Sequence, residues 1–196
     1  MKFSDEIISK LPKGGVGVLP TDTVYGLMGL AVDERAVKKI YSLKEREAQK
    51  PSVVLIADLE DLGLFGVELS YDLRNKLSRL WPARVSVILP VKHRFSHLVQ
   101  GPLGTHAFRV PPHKELRRLI EQVGPLIAPS ANLSNQSPAK NLAEARAYFG
   151  ERVDFYVDGG VLNEDPSTVV LVEKDGSITI KRQGADLDKV KDIFIS

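Results

Sequence analysis

Gly14-Gly15-Val16-Gly17-Val18-Leu19-Pro20-Thr21-Asp22-Thr23-Val24-Tyr25-Gly26-Leu27 is the stretch on which the reading of this chain turns. Its first half is apolar and reads as a short buried strand, Val16 to Leu19. Pro20 stops it, because proline has no N–H to give to a sheet ladder. The second half sets two threonines, an aspartate and a tyrosine side by side, with Val24 as the apolar interruption. Hydroxyls and a carboxylate this close can aim several donors and acceptors into one cleft. The plainer alternative is a turn with a helix cap. A cleft gains support from the basic and hydroxyl-rich loops found further along the chain.

Working outward, the 196 residues are 43% hydrophobic and 27% charged, which suits a single domain with its own core. There is no cysteine, which excludes a disulfide framework and a thiolate metal site. Apolar runs of about five residues fall far short of the ~20 that span a bilayer. Met1-Lys2-Phe3-Ser4-Asp5-Glu6 lacks the apolar core of a signal peptide, so the expected location is the cytoplasm, with no membrane partner. Net charge is only +2, so affinity for a polyanion must come from local clusters of Lys and Arg.

Hydrophobic spacing predicts helices over Ser4–Leu11, Asp33–Leu43, Ser70–Trp81, Pro112–Val123, Asn141–Phe149 and Asp186–Phe194. Asp33 and Ser70 stand at capping positions, and Pro82, Gly124 and Gly150 at stops. Strands are expected at Val16–Leu19, Ser52–Ile56, Val85–Leu89, Thr105–Val110, Leu126–Ala128 and Val153–Val157. The β-branched run Ser52–Ile56 reads as covered on both faces. Thr168–Val172 and Ser177–Arg182 form a hairpin around Asp175-Gly176, a two-residue turn signal. That hairpin excludes a purely alternating parallel sheet. The fold class is therefore α/β, one domain with a twisted mixed sheet.

Six more stretches carry candidate chemistry. Lys44-Glu45-Arg46-Glu47-Ala48-Gln49-Lys50-Pro51 brings three cations into the entry of a buried strand, where α/β sheets bind ligands; a solvated helix end is the bland alternative. Ala128-Pro129-Ser130-Ala131-Asn132 presents polar groups from an apolar strand end. Pro166-Ser167-Thr168 and Lys181-Arg182-Gln183-Gly184 do the same, and Arg84-Val85-Ser86 and Arg109-Val110-Pro111 add strand-end arginines. No P-loop, G-x-G-x-x-G or G-x-S-x-G pattern is present. His93 and His97 lie four apart without a clear partner carboxylate, so no metal site is assigned. Fixed cations with hydroxyls and amides suit a polyanionic substrate held by positioning and charge.

In order and spacing, Pro20-Thr21-Asp22-Thr23-Val24-Tyr25-Gly26-Leu27, Lys44-x-Arg46 with Lys50-Pro51, Arg109-x-Pro111, Ser130-Ala131-Asn132, Ser167-Thr168-Val169 and Arg182-x-Gly184 resemble the YrdC-like threonylcarbamoyl-adenylate synthases. The resemblance runs from about Gly14 to Gly184. It implies a twisted open sheet around a concave, positively charged cavity. It implies a nucleotidyltransferase that makes L-threonylcarbamoyl-AMP and pyrophosphate from L-threonine, bicarbonate and ATP, with Mg²⁺ carried by ATP. The product serves modification of tRNA position 37, with tRNA binding and separate threonylcarbamoyl-transferase proteins as expected partners. By similarity, Lys44 and Arg46 would be catalytic. Arg46, Lys50, Ser86, Asn132, Ser167 and Arg182 would hold ATP, and Thr23, Arg109 and Ser130 would hold threonine.

The chain departs from that pattern in four places: Trp81-Pro82-Ala83-Arg84-Val85-Ser86, where Arg84 adds a charge; Ser134-Asn135-Gln136-Ser137-Pro138; Asn163-Glu164-Asp165-Pro166, which lacks a glycine; and Leu55, where some members carry histidine. The extra C-terminal domain of longer relatives is not expected. Two rival readings are a non-catalytic RNA-binding module of the same fold and a paralogue using another amino acid. With aromatic content of 7%, a base-stacking platform is the weaker reading.

Overall fold

The computed structural model describes residues 3–45, 52–91, 104–173 and 175–195. Among these, nine strands make one mixed sheet. In chain order they are β1 (Gly17–Leu19), β2 (Gly26–Leu30), β3 (Val53–Leu55), β4 (Val85–Pro90), β5 (Thr105–Arg109), β6 (Leu126–Ile127), β7 (Phe155–Tyr156), β8 (Thr168–Val172) and β9 (Ile178–Arg182). Across the sheet the order is β7-β1-β2-β6-β3-β5-β4-β8-β9. Three parallel pairs (β1 with β7, β3 with β5, β4 with β8) are interspersed among five antiparallel ones, so the mixed sheet read from the sequence is the one formed.

The helices are α1 (Asp5–Lys10), α2 (Glu34–Leu43), α3 (Tyr71–Leu80), α4 (Lys114–Val123), α5 (Leu142–Phe149) and α6 (Leu187–Phe194). Asp33 caps α2 by accepting the Arg35 and Ala36 N–H groups, Ser70 caps α3 through Leu73 N, and Asn141 caps α5 through Glu144 N. Each such cap satisfies donors the helix leaves open, worth about 1 kcal/mol. The α4 helix starts at Lys114 rather than Pro112, because His113 accepts the Leu116 N–H through Nδ1. No helix among the described residues is long and apolar enough to cross a membrane.

Strand alternation sorts side chains into two cores, one on each sheet face. On one face Val18, Leu27, Val54, Val87, Phe108 and Val170 pack with Ile40 of α2, Leu77 of α3, Phe149 of α5 and Val190 of α6. On the other face Leu19, Met28, Leu55 and Leu126 pack with Ile7 of α1 and Leu116, Leu119 and Ile120 of α4. This second core belongs to the half of the sheet from β7 to β3. None of the described helices contributes a buried residue to that face over β5, β4 and β8. That uncovered half-face is where a cavity opens.

Three readings from the sequence change here. Gly26–Leu30 is a strand, whereas its two glycines gave no strand signal; β2 is fixed by ladders to β1 and β6 on either side. Val53 faces the cavity, so β3 is not apolar-covered on both faces. The terminal hairpin closes from Glu173 N–H to Ser177 O, with Gly176 N–H on Glu173 O at a positive φ of 84°, one residue longer than a two-residue turn.

Asp154 ties β1 to the residues before β7. Its Oδ2 accepts Val16 N–H at 2.7 Å and the Lys39 ammonium at 2.7 Å, while its own N–H donates to Val16 O. Burial alone would raise its carboxyl, but Lys39 and the Val16 N–H outweigh that and hold it below its ordinary value. The stabilisation is thus present above the unfolded aspartate value (about 3.9) and is lost as pH falls through the lower, folded one. In thermal melts from pH 7 to 3, Asp154→Asn is expected to melt lower at pH 7. The gap to the parent protein closes below about pH 4.

Candidate functional site

The cavity measures about 320 Å³. Its floor is the bare half-face of the sheet: Val53 of β3, Ala107 and Arg109 of β5, Ser86 and Ile88 of β4, and Val169 of β8. The register explains why these meet. Val53 lies opposite Ala107, Ala107 opposite Ile88, and Ser86 opposite Val169, so residues two apart share the face. The Thr21–Gly26 turn, Ala128 to Ser130, Pro138, and Pro166 with Ser167 form the walls.

The turn after β1 is built by Thr21. Its Oγ1 donates to Val24 O at 2.6 Å and accepts the Thr23 and Val24 N–H groups. That hydroxyl is spent on the turn, where Thr23 Oγ1 also lies 3.1 Å from it. Tyr25 is latched behind it: its hydroxyl donates to Gly160 O and accepts Gly159 N–H, both at 2.8 Å. Burial raises this phenol above its ordinary value.

Arg109, 4% exposed, is the buried cation of the floor. Its Nη2 lies 3.3 Å from Asp22 Oδ1, and its Nη1 lies 3.4 Å from Thr23 Oγ1. Asp22 is itself 8% exposed and sits within ion-pair range without hydrogen-bond geometry, so charge rather than a directed bond joins the two. Burial pushes Arg109 below its ordinary value, and Asp22 and Asp186 oppose that push. An isolated buried charge would be prohibitive, and Asp22 supplies the balance.

Arg182 stands at the other end. Nε donates to Ser167 O at 3.0 Å and Nη2 to Ser167 Oγ at 3.1 Å, and Ser167 Oγ in turn lies 3.1 Å from Ser86 Oγ. The hairpin pairing predicted from sequence is the cause: β9 runs back along β8, setting Arg182 opposite Val169. Arg182 has no carboxylate in ion-pair range among the described residues. Burial lowers it, and the Arg109 charge lowers it further. Two guanidiniums lining one cavity make it a candidate site for an anion.

Six of the residues singled out from sequence therefore line one cavity: Thr23, Ser86, Arg109, Ser130, Ser167 and Arg182. Lys44 and Asn132 do not line it. Lys44, 3% exposed at the end of α2, turns its ammonium to Ser130 O and to Asn132 O and Oδ1 (2.9 and 3.1 Å). Asn132 spends its NH₂ on Leu133 O and Gln136 O, and its Oδ1 also accepts from Ser130 Oγ. They fix the Ser130 loop from behind. Arg46 and Lys50 lie outside the described residues, as do His93 and His97. Arg84 points away from the cavity onto Asp186 and Glu164. Asp22 was part of the opening motif without an assigned task, and its task is visible only once Arg109 is beside it.

Among the described residues no carboxylate lines the cavity, and no group of three His, Asp or Glu could hold a metal ion. These residues do not build a Mg²⁺ cage.

The signature of the Sua5/YciO/YrdC group, described as telomere recombination, matches residues 9–184. The chain belongs to this family. Threonylcarbamoyl-AMP synthase of Pyrococcus abyssi is 32% identical over 93% of this chain, which spans about half of that protein (54%). The enzyme of the same name from Idiomarina loihiensis is 38% identical over 77% of this chain and 84% of its own length. The crystal structure of P. abyssi Sua5 complexed with L-threonine superposes with a TM-score of 0.87 at 30% identity, over 96% of this chain and 56% of that one. Escherichia coli YciO shares the fold (TM-score 0.82, 22% identity, 94% of this chain and 90% of that one). Family membership accounts for the mixed sheet and for the convergence of the motif residues.

Lys44→Met removes the cation from three buried acceptors. It is expected to cost about 1–3 kcal/mol of stability in chemical denaturation. It should also loosen the amides of residues 130 to 134 in hydrogen exchange.

Proposed function

We propose that this chain is an L-threonylcarbamoyladenylate synthase. The observation that carries the proposal is the pairing, in one cavity, of the buried Arg109 next to Thr23 with the Ser86–Ser167–Arg182 corner. The first pair fits an amino acid with a hydroxyl. The second fits a phosphate chain. The names of the relatives and the P. abyssi complex with L-threonine support the same reading.

In this reading Arg109 takes the threonine carboxylate through its planar fork, with Thr23 and Ser130 at the hydroxyl and amine end. The neutral amine and bicarbonate condense to a carbamate: the N–C bond forms, and the amine proton leaves with the bicarbonate hydroxyl as water. A carbamate oxygen then attacks the α-phosphorus of ATP; the bond from that phosphorus to the β-bridging oxygen breaks, and pyrophosphate leaves. Two anions must approach each other, so fixed cations lower the barrier. Arg182, Ser167 and Ser86 hold the phosphates, joined by Arg46 and Lys50 from the segment after α2. Lys44 and Asn132 act by holding the Ser130 loop. Mg²⁺ would arrive on the triphosphate, since no carboxylate among the described residues lines the cavity. The product would supply the threonylcarbamoyl group of N6-threonylcarbamoyladenosine at tRNA position 37, in the cytoplasm, through separate transferase proteins.

Purified protein given ATP, L-threonine and bicarbonate is expected to yield threonylcarbamoyl-AMP by mass spectrometry. ATP turnover that ignores threonine would overturn the proposal. Serine should be a poor but detectable substrate and 2-aminobutyrate a worse one, since a site that bonds a hydroxyl rejects its loss more strongly than the loss of a methyl. Arg182→Ala should weaken ATP by about 2 kcal/mol, in the range for a charged hydrogen bond. Threonine, titrated alone, should bind that variant as before.

A further inference from the structure

Arg84 is two residues from Ser86 yet sends its guanidinium the other way. Its backbone N–H donates to Asp186 Oδ2 at 2.8 Å, while Nε and Nη2 reach Asp186 Oδ1 at 3.2 and 3.1 Å. Nη1 reaches Glu164 Oε2 at 2.8 Å. Asp186 stands at the start of α6 in a left-handed conformation (φ 58°) that residues other than glycine seldom adopt, and its carboxylate makes no cap bond to the helix. It faces Arg84 instead. Such strain persists only where surrounding contacts over-determine it.

The two segments that Arg84 grips are already stitched to each other. Ala185 N–H donates to Pro166 O, Thr168 Oγ1 donates to Ala185 O, and Gly184 N–H donates to Thr168 Oγ1. A Cβ on Gly184 would lie 2.1 Å from Pro166 O, so the two backbones meet as closely as glycine allows. Thr168 N–H donates to Arg84 O, which ties in β4 as well. Glu164 precedes Ser167, and Asp186 follows Arg182. Arg84 thus closes the outer side of a ring whose inner side is Ser86, Ser167 and Arg182.

We propose that Arg84 is a positioning residue: by bridging Asp186 and Glu164 it braces the segments that present Ser167 and Arg182, and so sets the spacing of the anion-holding corner. This rests on reading that corner as the phosphate site. An exposed ion pair alone contributes little, and Glu164 is 59% exposed. The brace matters through geometry, since hydrogen-bonded groups displaced by a few tenths of an ångström lose their fit to a bound anion.

The test titrates inorganic pyrophosphate and, separately, L-threonine into the parent protein, Arg84→Ala, Arg84→Lys and Glu164→Gln by calorimetry. Arg84→Ala is expected to weaken pyrophosphate about tenfold while threonine stays within about twofold, a split that general loss of stability would not produce. Arg84→Lys, which keeps the charge but not the fork, should fall between parent and Arg84→Ala. Glu164→Gln changes only the exposed end and should weaken pyrophosphate about threefold; it decides the matter if Arg84→Ala does not fold. Faster exchange at the Ser167, Thr168 and Gly184 amides in Arg84→Ala would support the brace. Parent-like pyrophosphate affinity in Arg84→Ala, an equal loss of both ligands, or a parent protein that does not bind pyrophosphate would each overturn it. A protein that shows the split yet makes no threonylcarbamoyl-AMP would refute the proposed reaction and leave the brace standing.

Discussion

A guanidinium buried on a bare half-face of a sheet sets the terms for everything around it. Arg109 has lost nearly all its water, and its charge is affordable only because Asp22 is buried beside it. That requirement explains why the Thr21–Tyr25 turn is so firmly fixed. Thr21 closes it from within, and Tyr25 anchors it to the 159–160 turn. A turn free to drift would carry Asp22 away and strand the cation. The same fixation holds Thr23 at the guanidinium, so one short segment both balances the charge and sets a hydroxyl beside it.

The cations of this protein divide by where they are spent. Arg109 and Arg182 both line the cavity, and the Arg109 charge lowers Arg182. Lys44 and Arg84 come from strand and helix ends of the same kind, yet both are turned onto protein oxygens behind the walls. Of the two that face the cavity, Arg109 is balanced by Asp22, while Arg182 bonds to the oxygens of Ser167, with the Ser86 and Ser167 hydroxyls beside it. Such an arrangement favours bringing a carboxylate and a phosphate together, which is the difficult part of the proposed reaction.

Much of the scaffold was legible in the chain because its signals are local. Asp33, Ser70 and Asn141 bond to N–H groups two or three residues ahead, and the Ile40 and Leu77 stripes follow the helical period. The hairpin from Thr168 to Arg182 was marked by the Asp175-Gly176 turn signal, although the turn formed is one residue longer. β2 was missed because Gly26 and Gly29 lower strand propensity, and neighbours on both sides override that. Asp186 looked like an ordinary helix start, but its carboxylate answers to a residue 102 positions earlier.

The sequence by itself determined the α/β class, most helices and strands, and the set of residues among which the site had to be found. Only the tertiary structure decided which of them meet. Thr23, Ser86, Arg109, Ser130, Ser167 and Arg182 come from separate turns and strands and converge because strand register puts alternate residues on the one sheet face no described helix covers. Whether a lysine or arginine faces a ligand or a wall depends on acceptors some 80 to 100 residues away, as for Lys44 with Asn132 and Arg84 with Asp186. No local rule carries that information. Local propensity acts over a few residues, whereas the direction of a long charged side chain is set by whatever the fold brings within 3 Å of it.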